Sequence, residues 1–247
     1  MDLEMFFSNH PSVALAFSGG VDSAYLLYAG LHYGATMKAY YVKSAFQPEF
    51  ELEDARRLAK ELNADMTVLL KDVLASAEVT ANPADRCYHC KKVIFETIQT
   101  HAAEDGFSVL IDGTNASDDS SDRPGMKALV ELSVRSPLRE FGITKSEIRR
   151  LSKDAGLFTW NKPAYACLAT RIPTGRPITK ELLHKVESAE YILFSMGFSD
   201  FRVRVLEDTA RIQVPLAQMQ TVLERKEQIL QAFKPYFSAV LLDLHNR

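Results

Sequence analysis

The sequence predicts an α/β protein with a doubly wound parallel sheet, followed by a smaller C-terminal α/β domain. Three observations carry this prediction. Apolar strands alternate with amphipathic helices over the longer N-terminal part, which is the order of βαβ units in a parallel sheet. A glycine-rich turn joins the first strand to the first helix of that series. A segment rich in Pro and Gly at 172–177 then precedes a different pattern, so we expect domains at 1–172 and 173–247.

The N-terminal elements follow from hydrophobic periodicity. Short apolar runs between turn signals predict buried strands, and apolar residues that repeat on one side of a turn predict amphipathic helices. One helix has both ends marked, because Thr144 and Glu147 form a capping-box pattern and Gly156 follows the last turn. The predicted strands are 13–17, 37–42, 65–70 and 108–113, and the predicted helices are 24–29, 51–62, 92–103 and 145–154.

The C-terminal part predicts a small helix-strand-strand-helix-strand unit. A helix begins at Thr179 and ends at Gly197. Two strand-like runs flank Glu207 and Asp208, which is a hairpin signal. The predicted strands are 201–206, 209–214 and 237–244, and the second predicted helix is 215–233.

Composition excludes several classes of protein. The 247 residues are 47% apolar and 25% charged, which is typical of a globular protein, and no stretch approaches the ~20 apolar residues of a membrane span. The formal net charge of −3 does not indicate a nucleic-acid partner. The chain starts with acidic residues where a signal peptide would be basic, so we expect a cytoplasmic protein. Three cysteines, an odd number, argue against a disulfide framework.

The most informative segment is the Ser-Gly-Gly-Val-Asp-Ser turn after the first predicted strand. Gly19 and Gly20 let the backbone approach a ligand closely, and the following helix presents unpaired N–H groups. Ser18 and Ser23 add hydroxyl donors, and Asp22 is suited to hold Mg²⁺. The segment predicts a site for the phosphates of ATP, without the Lys of a Walker A loop. The alternative is an ordinary strand-to-helix turn that uses two glycines.

The end of a second strand is expected beside this turn. Ligands of open parallel sheets bind beyond the carboxyl ends of the strands, so Gly113, Thr114 and Asn115 should border the same crevice. Arg123 and Lys127 follow, and they are candidates to stabilise charge that develops at the α-phosphate. The alternative for these two is a solvated loop with ordinary surface charges.

The cysteines indicate the second part of the chemistry. Cys87 and Cys90 lie on one turn, and Cys167 arrives much later. Three thiolates suit a cluster with one open iron, because a cubane iron-sulfur cluster is normally held by four cysteines and a structural zinc ion needs four ligands. An open iron could carry a small sulfur ligand. Three alternatives stay open: a zinc site completed by His89, a CxxC redox couple, and unrelated buried thiols.

Three segments together resemble one family. They are 18–23, then 113–118 with 123–125, then the cysteine-bearing run Lys-Pro-Ala-Tyr-Ala-Cys-Leu-Ala-Thr-Arg-Ile-Pro at 162–173. In this order, over nearly the whole chain, they look like the ATP-dependent sacrificial sulfur transferases of the LarE type, which are PP-loop ATP pyrophosphatases. The resemblance implies a Rossmann-like domain of the adenine nucleotide alpha hydrolase type. It also implies a small α/β domain for substrate binding and oligomerisation, and a homo-oligomer such as a hexamer.

The family's activity implies a substrate. A carboxylate of pyridinium-3,5-biscarboxylic acid mononucleotide becomes a thiocarboxylate, in synthesis of the nickel-pincer cofactor of lactate racemase. In one kind of member, a single cysteine that matches Cys167 gives up its sulfur and is left as dehydroalanine. In the other kind, three cysteines hold a 4Fe-4S cluster whose unique iron carries sulfur from a donor. The presence of Cys87 and Cys90 favours the second kind.

Such a carboxylate has to be activated by ATP, because it is negatively charged and its oxygen is a poor leaving group. We expect an acyl-adenylate, with release of pyrophosphate and later of AMP. The expected contacts are Ser18, Gly19, Gly20 and Ser23 on the β- and γ-phosphates, Asp22 on Mg²⁺, and Gly113, Thr114 and Asn115 along the α-phosphate and nucleoside.

The substrate is itself a phosphate monoester, which calls for a second cationic site. Arg202 and Arg204 lie two apart on a predicted strand and therefore project from one face. Arg171 follows Cys167 closely, and Arg211 lies on the paired strand. Arginine suits bidentate capture of phosphate or carboxylate. The alternative is the polar outer face of a hairpin.

Three other functions share part of this pattern. A tRNA-thiolating enzyme would use the same ATP turn but needs an extended basic surface, which the net charge does not indicate. An ammonia-using synthetase has no need of three cysteines. A nucleotide sensor would bind ATP without releasing pyrophosphate.

Overall fold

The computed structural model describes residues 2–118 and 124–245. These residues form two compact units. The first unit comprises Met1–Val73 and Asp85–Lys162, and the second comprises Leu74–Ala84 and Pro163–Arg247. None of the described helices is long and apolar enough to cross a membrane.

The helices and strands are numbered in chain order. The helices are α1 (Leu3–Asn9), α2 (Val21–His32), α3 (Glu49–Glu61), α4 (Ala77–Thr80), α5 (Arg86–Glu104), α6 (Pro124–Glu131), α7 (Pro137–Glu140), α8 (Lys145–Asp154), α9 (Lys180–Ser195), α10 (Leu216–Glu224) and α11 (Lys226–Phe233). The strands are β1 (Ser12–Ala16), β2 (Thr36–Lys43), β3 (Asp65–Leu70), β4 (Leu110–Asp112), β5 (Arg202–Leu206), β6 (Thr209–Gln213) and β7 (Ala239–Leu242).

The first unit is built on a parallel sheet in the order β3-β2-β1-β4. The chain adds β2 and β3 on one side of β1, and it then adds β4 on the other side. β1 and β4 are therefore neighbours at the point where the strand order reverses. Ligands of such sheets bind in the crevice beyond the carboxyl ends of these two strands. The sheet confirms the predicted α/β fold class.

Helices cover both faces of this sheet, as a parallel sheet requires. On one face Leu15 and Tyr41 belong to an apolar core with residues of α1, α2, α3 and α8. On the other face Tyr40 packs with Phe95 and Ile98 of α5. The consecutive tyrosines of β2 thus point to opposite faces, which is the alternation expected of a strand.

The predicted helix bounds agree best with the structure where capping residues define the ends of a helix. α8 matches its predicted span, because Thr144 Oγ1 accepts from Glu147 N–H while the Glu147 carboxylate accepts from Thr144 N–H at 2.8 Å. Gly156, just after this helix, takes a φ of +71°. The structure adds α1, α4, α6 and α7 to the predicted elements. None of these four exceeds 8 residues, which is too short to show a clear helical repeat.

The second unit holds the sheet β5-β6-β7. β5 and β6 form the predicted antiparallel hairpin, with Glu207 at a φ of +52° in its turn, and β7 pairs parallel to β6. The single helix predicted at 215–233 is wrong. Arg225 has a φ of −100° and separates α10 from α11, and its guanidinium donates to Met196 O. The apolar pattern continues through this break, so it gives no sign of it.

The units divide differently from the boundary that the sequence predicts after residue 172. Residues 163–172 belong to the second unit, and so does the segment 74–84. Asn82 explains the second difference: its side chain is buried, and Nδ2 donates to Pro173 O at 2.8 Å. The two partners are distant along the chain, so no local pattern predicts this contact.

Candidate active site

The turn between β1 and α2, here called the 18–23 turn, needs glycine for two reasons. Gly19 takes a φ of +71°, which is the left-handed region that favours glycine. A Cβ atom on Gly19 would also lie 3.1 Å from Ala55 Cβ and 3.3 Å from Glu51 O. Because both contacts belong to α3, a side chain at Gly19 would push this helix away from the turn.

Both serine hydroxyls form hydrogen bonds inside the 18–23 turn. Ser23 Oγ donates to Gly20 O at 3.2 Å and accepts from Ser18 N–H at 3.3 Å. Gly20 N–H donates to Ser18 Oγ at 3.3 Å. The first hydrogen bond of α2 runs from Ala24 N–H to Gly20 O, so the amides of 21–23 precede the helical ladder. The serines shape the turn, and these amides and the helix dipole are what it offers to an anion.

Gly113, which follows β4, lies against the start of α2. A Cβ atom on Gly113 would be 2.8 Å from Ser23 N and 3.1 Å from Ser23 Cα. Only glycine allows this approach without a shift of backbone. The expected proximity of Gly113 to the 18–23 turn is confirmed.

Thr114 and Asn115 are buried and take part in the loop's own hydrogen bonds. Thr114 Oγ1 donates to Asp112 Oδ2 at 2.5 Å, and Ser136 Oγ donates to Asp112 Oδ1 at 2.6 Å. Asn115 Oδ1 accepts from Ser117 N–H at 2.8 Å. The nucleotide contacts expected of Thr114 and Asn115 stay a prediction, and their side chains serve the loop conformation in this structure.

Asp22 is the most unusual group of the crevice. Its Oδ2 accepts a hydrogen bond of 2.6 Å from Lys145 Nζ, whereas its Oδ1 is buried without a hydrogen-bond partner among the described residues. Burial raises the pKa of Asp22, an effect that Lys145 only partly offsets and that the nearby Asp118 reinforces. A buried carboxylate oxygen without a partner is costly, and a divalent cation held by oxygen ligands would satisfy it. Asp22 therefore fits the predicted magnesium role.

Lys145 is a residue of this site that the sequence reasoning missed. It is the first residue of α8, and its N–H donates to Ser117 Oγ at 2.9 Å. A cation at the first turn of a helix opposes the helix dipole. The sequence contained a sign of this role. A lysine at the start of a helix is unfavourable unless an anion lies nearby, and in the structure that anion is Asp22.

Arg149, one turn further along α8, fixes the point where the chain leaves the first unit. Its Nη1 and Nη2 donate to Trp160 O and Lys162 O at 2.8 and 2.9 Å. Lys162 Nζ lies 2.7 Å from Asp54 Oδ2 and 3.5 Å from Glu51 Oε1 on α3. The segment before Pro163 is thereby attached to two helices that border the 18–23 turn.

Only one of the two basic residues expected at the α-phosphate, Lys127, lies among the described residues. Arg123 lies outside the described residues. Lys127 is on α6 with 71% of its side chain exposed, and its Nζ is 3.7 Å from Glu131 Oε1 and 5.1 Å from the centre of the Tyr88 ring. Its catalytic role stays a prediction.

The three cysteines are divided between the units. Cys87 and Cys90 lie near the start of α5, three residues apart and thus on one side of it. Cys167 precedes a short 3-10 turn, Leu168–Arg171, in the second unit. All three are described, and none is in a disulfide. Among the described residues no group of three or more His, Cys, Asp and Glu side chains is arranged to hold a metal ion.

The surroundings of the first-unit thiols bear on their chemistry. Arg86 Nη2 donates to Cys87 Sγ at 3.6 Å. His89, which the zinc alternative needs, has its Nε2 3.4 Å from Asp85 Oδ2. The cluster predicted on Cys87, Cys90 and Cys167 stays a prediction.

The four arginines expected to bind substrate all lie in the second unit. Arg204 is directly opposite Arg211 across β5 and β6, and Arg202 is two residues away, so the shared face is confirmed. Arg171 and Arg202 are buried, with exposed fractions of 1% and 6%. Arg211 is more open, and its Nε is 3.6 Å from Asp243 Oδ2. Substrate binding by these four stays a prediction. In this structure the guanidinium groups of Arg171, Arg202 and Arg204 donate to backbone carbonyl groups of the second unit.

Comparison with known proteins places the chain among relatives of similar length. No protein-family model matches it. It is 33% identical to the pyridinium-3,5-bisthiocarboxylic acid mononucleotide synthase of Lactiplantibacillus plantarum, over 94% of this chain and 85% of the relative. It is 36% identical to an uncharacterized protein of Synechocystis, over 98% and 92% of the two chains. It is 31% identical to one of Methanocaldococcus jannaschii, over 94% and 89%. Given this similarity along nearly its whole length, the chain belongs to the LarE family, that of the pyridinium-3,5-bisthiocarboxylic acid mononucleotide synthase.

Proposed function

We propose that this protein is an ATP-dependent sulfur transferase. Its substrate would be pyridinium-3,5-biscarboxylic acid mononucleotide, whose carboxylate becomes a thiocarboxylate on the way to the nickel-pincer cofactor. The observation that carries the ATP part lies at the end of β1 beside β4: the first turn of α2 there supplies the 21–23 amides and Asp22, whose buried Oδ1 has no hydrogen-bond partner among the described residues. The sulfur part is supported by the name of the relative from Lactiplantibacillus plantarum.

Activation comes first. A carboxylate oxygen of the substrate attacks the α-phosphorus of ATP, a new P–O bond forms, and the bond to pyrophosphate breaks with its electron pair. The 21–23 amides would hold the departing phosphates, and Asp22 would hold Mg²⁺, which neutralises phosphate charge. Preorganised donors of this kind are worth about 2.7–4 kcal/mol each in other enzymes. Lys145 lies 2.6 Å from Asp22, which would bring its ammonium group to the same phosphates.

Sulfur transfer follows. A sulfur nucleophile attacks the acyl carbon of the adenylate, a C–S bond forms, and AMP leaves with the electrons of the C–O bond. We propose that Cys87, Cys90 and Cys167 hold a 4Fe-4S cluster. Its unique iron would supply a binding place for the transferable sulfur. Reloading this place requires a sulfur donor.

A second candidate uses Cys167 alone. It is favoured by the location of Cys167 in a different unit from the other two cysteines, in a turn held by contacts within that unit. The Cys167 thiolate would displace AMP and form a thioester. Loss of the Cα proton then breaks the Cβ–S bond, which releases the thiocarboxylate and leaves dehydroalanine.

Anaerobic purification with iron and sulfide analysis separates the two candidates. We expect a coloured native chain that contains iron and sulfide, and loss of both in Cys90→Ala. Lys92→Ala on the same helix is the control and should keep them. A colourless native chain that transfers one sulfur per molecule, with Cys90→Ala fully active, would overturn the cluster and support the single-cysteine route.

The ATP part has its own test. Pyrophosphate release should require the dicarboxylic acid substrate, and salt-dependent tRNA binding with tRNA-stimulated release would instead support a tRNA-thiolating enzyme. If all three cysteines are changed to Ala, pyrophosphate release should continue while thiocarboxylate formation stops. Continued product formation by this triple variant would exclude sulfur transfer by cysteine.

A further inference from the structure

The turn that carries Cys167 is held by backbone carbonyl groups facing arginine side chains. Every arginine in question belongs to the second unit, as does the turn itself. An arginine guanidinium is planar and carries five donors, so it can join several acceptors in one fixed arrangement. The acceptors are Ala164 O for Arg202 Nη2, Ala166 O for Arg171 Nη1 at 2.7 Å, Cys167 O for Arg171 Nη1 at 3.3 Å, and Thr170 O for Arg204 Nη1 at 2.6 Å.

One buried carboxylate organises the centre of this arrangement. Glu190 on α9 is 4% exposed, and its Oε1 and Oε2 accept from Arg171 Nε and Nη2 at 2.9 and 3.2 Å. Oε1 also accepts from Val203 N–H at 2.9 Å, and Oε2 accepts from the Tyr165 hydroxyl. A buried charge is tolerated only when it is paired and hydrogen-bonded, and Glu190 meets both conditions.

Tyr165 completes the arrangement from the side of the turn. The centre of its ring lies 4.5 Å from the Arg171 guanidinium carbon and 5.1 Å from that of Arg202. Burial, reinforced by the charge of Glu190, raises the pKa of Tyr165 far above its usual value. The hydroxyl therefore stays protonated and donates a hydrogen bond to Glu190.

We propose that Glu190 is a positioning residue for Cys167, acting through Arg171. Glu190 holds one edge of the guanidinium, and the Nη1 on the other side holds the carbonyl groups of Ala166 and Cys167. Because the guanidinium is rigid, fixing the first edge fixes the second, and with it the backbone from which Cys167 Sγ projects. This inference rests on the proposed role of Cys167 in sulfur transfer.

The test compares cysteines within one chain. The rate of iodoacetamide alkylation is measured at each cysteine by peptide mass spectrometry, across neutral to alkaline pH, in the full chain freed of iron by chelation. Cys87 serves as the internal reference because it lies in the first unit. Glu190→Gln replaces a carboxylate with an amide that has a single acceptor oxygen, so one edge of the Arg171 guanidinium is held less firmly and the Cys167 backbone gains freedom. We therefore expect the alkylation rate of Cys167 to rise severalfold across the pH range while that of Cys87 is unchanged. Thiocarboxylate formation should fall about a hundredfold in kcat, with little change in KM for ATP.

Two further variants keep the test valid if Glu190→Gln folds poorly. Tyr165→Phe keeps the ring between the guanidinium groups and removes only the donor to Glu190, so it should show a smaller change of the same kind. Glu181→Gln, an exposed carboxylate on the same helix, is the control and should behave as wild type. Wild-type Cys167 profiles and wild-type kcat in both Glu190→Gln and Tyr165→Phe would overturn the proposal. Full product formation by Cys167→Ala would instead refute the proposed function, while the alkylation profiles would still measure the positioning.

Discussion

The 18–23 turn of the first unit consists of glycines, short hydroxyl side chains and helix amides, whereas the Cys167 turn of the second unit is held by three long guanidinium side chains. In the first turn the amides of 21–23 precede the helical ladder of α2, and Asp22 Oδ1 has no hydrogen-bond partner among the described residues. In the second turn four backbone carbonyl groups are already satisfied by arginine. The difference separates a turn whose helix amides suit an anion from a turn whose backbone is held by side chains of its own unit.

The largest expected effect follows Asp22→Asn. Loss of the carboxylate charge removes the group that fits Mg²⁺, so substrate-dependent pyrophosphate release should fall at least about a hundredfold. Asp65→Asn, at the opposite end of the sheet, is the matched control. Unchanged release by Asp22→Asn would remove Asp22 from the ATP site.

The same variant should gain stability at neutral pH. Because the pKa of Asp22 is raised in the folded chain, the folded state favours its protonated form. Ionised Asp22 therefore lowers the free energy of unfolding once the pH exceeds the pKa that Asp22 has in the unfolded chain. Below that pKa, Asp22 is protonated in both states and the penalty disappears. Urea unfolding of Asp22→Asn should give a higher free energy of unfolding than wild type at pH 7 and a smaller difference in acid. A lower value at pH 7 would contradict this.

Gly113→Ala should distort the start of α2 without changing the charge of any residue. Its Cβ would lie 2.8 Å from Ser23 N, so the start of α2 has to shift, at a cost of about 1–3 kcal/mol. Gly20→Ala, whose Cβ meets only Ser18 Oγ at 3.4 Å, should cost less. Urea unfolding and ATP binding measure both variants. Equal effects would show that close approach at Gly113 is not limiting.

Lys145→Met should shift a pH profile. Lys145 lowers the pKa of Asp22 against the dominant effect of burial, so its removal raises that pKa further. The acid limb of pyrophosphate release should then move to higher pH, because Asp22 has to be ionised to hold Mg²⁺. Lys153→Met on the same helix is the control. If the acid limb does not move, Lys145 does not influence the ionisation of Asp22 in the reaction.

The smallest effect is expected from helix caps, and it compares the two units directly. Thr144→Ala removes the capping box of α8, and Thr179→Ala removes the simpler cap of α9; each should cost about 1 kcal/mol in urea unfolding. Thr144→Ala should be the more costly, since its Glu147 loses a partner too. It should also weaken pyrophosphate release, because α8 carries Lys145. A larger effect of Thr179→Ala on pyrophosphate release would contradict the assignment of ATP cleavage to the first unit.

Local patterns accounted for much of the first unit. The alternation of apolar runs predicted the parallel sheet, Thr144 and Glu147 predicted α8, and the glycines predicted the turn that follows β1. They succeeded because each depends on residues within one or two turns of the chain. The break at Arg225 and the short helices escaped prediction because their cause lies in distant contacts or in segments too short to show a period.

The sequence by itself determined the fold class, the family, and the convergence of Gly113 on the 18–23 turn, because apolar periodicity and glycine-rich turns are local features and the ends of parallel strands lie at one edge of the sheet. Tertiary structure alone decided what the charged groups do. Lys145 meets Asp22 across a long stretch of chain, and Arg171 meets Glu190 from another element, so no spacing rule could pair them. A guanidinium looks the same in sequence whether it faces a substrate phosphate or the carbonyl groups of a neighbouring turn, and only burial and distance distinguish the two.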